Sequence, residues 1–216
     1  MQAMKVRKTP LYLTLVGLIA SIVVAYFVAT NRVSAFDEAI ILFIQGKESP
    51  FWTGFAKFCA FIGSTVPVIC IALVTMLFLF FVLKHREELI LFVIVVGGSA
   101  LLNVVLKRLF TRERPTIHRI LEETGYSFPS GHAMAAFSLY GVIVFLLWKH
   151  IRPRWGRVLL LILGSLIIAM IGISRVYAGV HYPSDVLAGY LVSGSWLAFC
   201  IYWYQWYRER KSSGKK

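Results

Sequence analysis

Long apolar blocks alternate with short polar stretches along the whole of this 216-residue sequence. A helix needs roughly 20 residues to cross the hydrocarbon layer of a membrane, and six blocks approach that length. They are Leu11–Thr30, Ser64–Leu83, Leu89–Leu106, Ala133–Trp148, Val158–Ile173 and Val186–Tyr204. The stretches between them are too short to hold a second core. The pattern therefore predicts an all-α integral membrane protein, a bundle of six transmembrane helices that forms one domain over residues 1–216.

Two shorter segments between the first and second blocks have a different pattern. Ala35–Gln45 carries Asp37 and Glu38 among large apolar residues, and Phe51–Ile62 is rich in Phe and Trp with few charges. Such segments are typical of helices that lie in the membrane interface rather than cross it. We expect both to cover the extracytoplasmic end of the bundle, and a gate for lipid entry is a further role that this position allows.

Composition agrees with a membrane protein. The chain is 58% hydrophobic and 15% charged, whereas a soluble domain carries about 25% charged residues. Lys5, Arg7 and Lys8 precede the first block as they would precede a secretory signal. However, an apolar run of about 20 residues exceeds the usual ~7–15 of such a signal. We therefore expect the first block to be a retained membrane anchor.

The distribution of positive charge predicts an orientation. If the chain crosses the membrane six times, 14 of its 23 Lys and Arg residues lie on the side that holds both termini. Cytoplasmic loops are enriched in these residues, so we expect both termini in the cytoplasm of a bacterial-type cell membrane. The net charge of +13 does not favour a nucleic-acid partner, because the charges are spread over helix ends facing the lipid bilayer.

Three polar segments fall at the helix ends on the opposite, extracytoplasmic side: Lys107–Pro115, Pro129–His132 and Ser174–Asp185. Each has an ordinary explanation by itself, such as a helix cap at Ser130 or an i,i+4 pair at a helix start. However, a compact bundle would gather all three on one face. Ionisable residues near membrane depth are costly and are usually functional, so their shared chemistry needs an explanation.

A phosphate group explains that shared chemistry. It carries about −1.5 to −2 charges at neutral pH, and Lys107, Arg114 and Arg175 supply positive charge. Arginine can bind two phosphate oxygens at once. The backbone N–H groups at a helix start add donors, Gly131 permits close approach of the backbone, and the Ser130 hydroxyl can donate one further hydrogen bond.

The remaining residues suit phosphoryl transfer. His181 is the candidate nucleophile, and Asp185 would hold the other ring nitrogen of that histidine, as in a catalytic triad. His132 would protonate the leaving alcohol and later deprotonate water, since histidine titrates near neutral pH. No metal or other cofactor is expected, because the outer loops offer no paired carboxylates and three fixed cations would repel Mg²⁺.

The same segments resemble all three signature motifs of the type 2 phosphatidic acid phosphatase (PAP2) family, without departure at any motif position. The resemblance is to its small bacterial branch, which includes phosphatidylglycerophosphate phosphatase B and undecaprenyl pyrophosphate phosphatases. The matching positions are Lys107, Arg114-Pro115, Pro129 to His132, Ser174-Arg175, His181 and Asp185.

The resemblance implies a metal-independent lipid phosphate phosphatase that works through a phosphohistidine intermediate. It assigns the catalytic roles to His181, His132 and Asp185, and phosphate binding to Lys107, Arg114, Ser130, Gly131 and Arg175. Phosphatidylglycerophosphate is the expected substrate. Undecaprenyl pyrophosphate, or several lipid phosphates, would suit the same motifs. A transporter that binds phosphorylated lipids without cleaving them is a third hypothesis, but it leaves the two histidines unexplained.

Overall fold

The structure is a computed structural model that describes residues 7–213. The first six and last three residues, which include Lys5, Lys215 and Lys216 of the charge count, lie outside the described range. The described part is helical and contains no strand. Its helices are α1 (Thr9–Ala29), α2 (Ser34–Gln45), α3 (Pro50–Ile62), α4 (Thr65–Leu77, extended by a π-helical turn Phe78–Val82), α5 (Arg86–Phe110), α6 (Gly131–Trp148), α7 (Arg154–Tyr177) and α8 (Pro183–Ser213).

Six of these helices are long and apolar enough to cross a membrane: α1, α4 with its π-helical turn, α5, α6, α7 and α8. Each coincides with one predicted block, which confirms the six-helix bundle. The largest difference is at the end of α8, which continues beyond Tyr204 to Ser213. Its charged last turns are held by ion pairs from Arg208 and Lys211 to Glu87 at the start of α5.

The two segments predicted to lie at the interface are α2 and α3. Ser49 begins α3 by accepting a hydrogen bond from the Trp52 amide at 3.3 Å, and Pro50 follows in the first turn, where proline is well tolerated. Helix α3 packs on α7, and α2 packs on α7 and α8. Both therefore cover the end of the bundle at which α7 ends and α8 begins.

Helix α6 is central and packs against α5, α7 and α8. Its inward side chains, such as Leu139 and Val142, are fully buried against Phe92 and Val95 of α5. The start of α1 and the end of α8 lie at the opposite end from α2 and α3, because the Arg7 amide donates to the side-chain oxygen of Gln205 near the end of α8 at 3.3 Å. The ends of α5 and α7 and the starts of α6 and α8 consequently meet at one face.

Candidate active site

Backbone hydrogen bonds join the three polar segments. The Ser130 amide at the start of α6 donates to the Asp185 carbonyl oxygen in the first turn of α8 at 3.1 Å. The Ser127 amide donates to the carbonyl oxygen of Arg112, which follows α5, at 2.8 Å, and the Ile120 amide donates to that of Ala178 at 3.0 Å. Residues far apart in the sequence are thereby fixed around one site.

The turn between α7 and α8 depends on Gly179. Its φ is +71°, a left-handed conformation that is costly for other residues, and a Cβ atom there would lie 1.8 Å from the His118 carbonyl oxygen. After this turn the Val180 amide donates to the backbone carbonyl oxygen of Arg175 at 3.2 Å. His181 follows directly, and its side chain is only 1% exposed.

His181 is held between a carboxylate and a guanidinium group. Its Nδ1 lies 3.4 Å from Oδ2 of Asp185, and its Nε2 lies 3.3 Å from a terminal nitrogen of Arg114. Arginine can only donate, so Nε2 must present its lone pair and Nδ1 carries the ring proton toward Asp185. Nε2 is therefore the nitrogen available for attack.

Burial lowers the pKa of His181 below its ordinary value, and the positive charges of Arg114 and Lys107 act in the same direction. Asp185 opposes this shift without reversing it. The imidazole is consequently neutral at neutral pH, which is the form that a nucleophilic histidine requires.

Two arginines line the site. Arg114 is fixed by three backbone carbonyl oxygens, those of Gly125 at 3.0 Å, Thr124 at 3.1 Å and Val180 at 2.8 Å. Arg175 on α7 is 2% exposed, and its buried Nε has no hydrogen-bond partner among the described residues. The guanidinium group of Arg114 is thus held rigidly beside His181, and that of Arg175 reaches the same site through the carboxylate of Glu123.

The carboxylate of Glu123 lies among these groups. One oxygen pairs with Arg175 and lies 3.8 Å from Nδ1 of His132. The other lies 2.9 Å from Arg114 and 3.9 Å from Nε2 of His181. Burial alone would raise the pKa of Glu123, but the combined charges of these four groups outweigh it and lower the pKa. An anion therefore sits between the two histidines.

The other predicted phosphate ligands lie close by, with some of their donors already engaged. Ser130 is fully buried and its hydroxyl accepts from the Ala133 amide at 3.4 Å, while its own amide is bonded to Asp185. The amides of Gly131 and His132 remain at the positive end of α6. Lys107 donates to the Tyr126 carbonyl oxygen at 2.6 Å rather than to Glu123.

Sequence reasoning missed three residues of this region. Glu123 and Arg112 lie in the irregular segment between α5 and α6, and no local pattern indicated where their side chains point. Asp37 was assigned to an interfacial helix, but it is fully buried. A signal was present, because Asp37 shares one helical face with Ile41 and Ile44, which pack inward at spacings of four and seven residues.

Within residues 7–213 no group of three or more His, Cys, Asp or Glu side chains is arranged to hold a metal ion. Metal-independent hydrolysis stays a prediction.

The bundle, the paired histidines and the cationic pocket define a class of membrane phosphatase. The sequence profile of the PAP2 superfamily matches residues 87–209, which include every predicted site residue. The chain belongs to this superfamily, and it is a phosphatase of the membrane-embedded type.

Several similar proteins extend over most of the chain. Phosphatidylglycerophosphatase B of Bacillus subtilis is 33% identical over 174 residues, which cover 78% of this chain and 83% of the relative. The crystal structure of a transmembrane PAP2-type phosphatidylglycerolphosphate phosphatase from Bacillus subtilis matches with a TM-score of 0.77 at 32% identity and covers 89% of this chain and 94% of that one. An undecaprenyl-diphosphatase of Sulfolobus acidocaldarius is 38% identical, but over only 49% of this chain and 47% of its own length.

Proposed function

We propose that this protein hydrolyses a lipid phosphomonoester, phosphatidylglycerophosphate, to phosphatidylglycerol, through a phosphohistidine on His181 and without a metal ion. The names of the two relatives from Bacillus subtilis favour this substrate. The protein would work in the cell membrane with both termini in the cytoplasm and its site at the extracytoplasmic face. That placement rests on the distribution of positive charge.

The position of the Glu123 carboxylate is the observation that carries this proposal. It is bound by Arg114 and Arg175 and lies within 4 Å of a nitrogen on each histidine, 3.9 Å from His181 and 3.8 Å from His132. A phosphoryl group at the same place would be bound by the same two arginines. It would have the nucleophile on one side and a proton donor on another.

The chemistry then follows in two steps. Nε2 of His181 attacks phosphorus while the bond from phosphorus to the lipid oxygen breaks, and His132 protonates that oxygen so that the alcohol leaves. Asp185 balances the positive charge on the phosphorylated ring. In the second step His132 accepts a proton from water, the hydroxide attacks phosphorus, and the electron pair of the P–N bond returns to His181. The arginines stabilise the negative oxygens throughout.

The test is phosphate release from phosphatidylglycerophosphate by purified protein in detergent with EDTA present. We expect turnover in EDTA, and none after His181→Ala or His132→Ala in protein that remains folded. His150→Ala is the matched control, because His150 is exposed and lies in the loop between α6 and α7. A strict requirement for divalent metal, or near-normal turnover by His181→Ala, would contradict the mechanism.

Undecaprenyl pyrophosphate is the second candidate substrate, since it also presents a terminal phosphate and the Sulfolobus relative is named for its hydrolysis. Rates with the two lipids, measured side by side, decide between them. Non-hydrolytic transport is the remote alternative. Release of phosphate from a lipid substrate in proteoliposomes contradicts transport alone, whereas movement of an intact phosphorylated lipid without release would support it.

A further inference from the structure

Arg112, Asp37 and Ser184 form a cluster with Asp185, and these three have no part in the chemistry described so far. Arg112 follows α5, and its guanidinium group binds two carboxylates from different helices. One terminal nitrogen donates to Oδ1 of Asp185 at 2.7 Å, and the other donates to Oδ2 of Asp37 at 2.8 Å. Both carboxylates are fully buried. Arg112 thus connects the interfacial helix α2 to the carboxylate beside His181.

Ser184 completes the cluster. Its amide donates to Oδ1 of Asp37 at 2.9 Å and its hydroxyl donates to Oδ2 of Asp37 at 2.7 Å. The same hydroxyl accepts from Arg112 at 2.8 Å. Asp37 therefore satisfies a free amide in the first turn of α8, as a helix-capping carboxylate does, and fixes α2 against that turn.

The contacts of Asp185 show how the cluster fixes the orientation of this carboxylate. Arg112 binds Oδ1, so Oδ2 is left for the Tyr182 amide at 2.9 Å and for the ring of His181 at 3.4 Å. The guanidinium group is also fixed in the perpendicular direction, since its carbon lies 4.0 Å from the centre of the Tyr182 ring. A buried ion pair contributes little net stability compared with apolar packing, but a fully bonded one restricts orientation closely.

We propose that Arg112 and Asp37 are a positioning pair, which holds Asp185 in the one orientation that orients and stabilises His181 during phosphoryl transfer. Two carboxylates share one guanidinium group, so the cluster retains one negative charge that faces the histidine as its ring becomes positive. Neither residue touches the Glu123 carboxylate, and neither is needed to bind phosphate. This inference rests on the proposed role of His181 as nucleophile.

The pair is tested with Arg112→Gln and Asp37→Asn in the full-length protein. Since misorientation of a catalytic group can cost about a hundredfold in rate, we expect kcat to fall about 100-fold in Arg112→Gln and about 10-fold in Asp37→Asn. KM and the inhibition constant for orthovanadate should each stay within about threefold, because the phosphate ligands are unchanged. Arg108→Gln and Glu38→Gln are the matched controls, since both residues are exposed neighbours.

The pH profile separates this role from general destabilisation. His181 is faced by Asp185 of α8, Lys107 of α5, His132 of α6, and Glu123 and Arg114 of the loop between α5 and α6. Loss of the Arg112 charge leaves the negative charge of Asp185 less neutralised, and Asp185 then raises the pKa of His181 further. The acid limb of kcat/KM should therefore move to higher pH. Loss of the Asp37 charge should move it to lower pH. Loosened packing would give no such opposite shifts.

Arg112→Lys restores the charge without the two-pronged geometry, and we expect it to recover the wild-type acid limb but only part of kcat. If Arg112→Gln does not fold, Arg112→Lys and Asp37→Asn carry the test. Wild-type kcat in these variants, or a raised KM at unchanged kcat, would overturn the inference about the positioning pair. If His181→Ala is inactive in the same assay, the proposed function still stands. An active His181→Ala would overturn both.

Discussion

Glu123→Gln is expected to tighten the binding of phosphate-like anions. The Glu123 carboxylate lies between Arg114 and Arg175, which under the proposed function is the position of the substrate phosphate. Any incoming anion must first displace it. Glutamine has the same shape but no charge, so it competes less well for the two guanidinium groups.

The magnitude follows from these contacts. A hydrogen bond to a charged group contributes about 1.5–3 kcal/mol. Glutamine has one acceptor oxygen and its NH2 group cannot accept from arginine, so one of the two contacts is lost, which costs roughly 1.5–3 kcal/mol. The Glu123 side chain is 25% exposed, and water around the displaced carboxylate recovers part of this difference. A net change of about 1.4 kcal/mol corresponds to a tenfold lower inhibition constant for orthovanadate.

The assay is inhibition of phosphate release by orthovanadate, with the melting temperature in added phosphate as a second measurement. Glu122→Gln is the control, because it removes the same charge from the adjacent, exposed residue. The low pKa of Glu123 means that the carboxylate stays charged at neutral pH, so the difference should persist across that range. An unchanged or raised inhibition constant in Glu123→Gln would refute the view of this carboxylate as a competitor.

Three further predictions concern the remaining parts of the site. Because burial lowers the pKa of His181 below its ordinary value of 6.5, more acid is needed to protonate this histidine. The value of kcat/KM should therefore persist below pH 6.5. A fall of kcat/KM on acidification that begins well above pH 6.5 would contradict the assignment of His181 as the nucleophile. Arg175→Lys removes the two-pronged contact that a guanidinium group can make with a phosphate, and kcat/KM should fall about 10–100-fold, with Arg119→Lys near wild type in the same assay. Gly179→Ala places a methyl group 1.8 Å from the His118 carbonyl oxygen at positive φ, so the melting temperature should fall, whereas Gly125→Ala, at positive φ but with open space around it, should be milder.

Much of the fold could be predicted from the sequence because membrane helices are specified locally. An apolar run such as Leu89–Leu106 has few alternatives in a bilayer, and it became the middle of α5. The ends of the helices were harder to predict than their apolar middles, because helical hydrogen bonds continue into charged residues. In α8 they continue to Ser213, where the contacts with Glu87 come from another helix.

The convergence of the motif residues was predictable where they begin or end helices. His181 and Asp185 straddle the start of α8, and Arg175 lies in the last turn of α7, so their convergence follows from the bundle. Glu123 lies in the irregular chain between α5 and α6, where its position depends on the path of a whole loop. The contact of Arg112 with Asp37 joins residues 75 positions apart, and no local pattern specifies such a pair.

The central claim is that a phosphoryl group is transferred to His181. It is tested most directly by His132→Ala with an aryl phosphate, whose leaving group needs no proton, because loss of the base for hydrolysis should let the intermediate accumulate. After an alkaline quench, which preserves phosphohistidine, mass spectrometry should locate the phosphoryl group on His181. A phosphoryl group on any other residue would contradict the account.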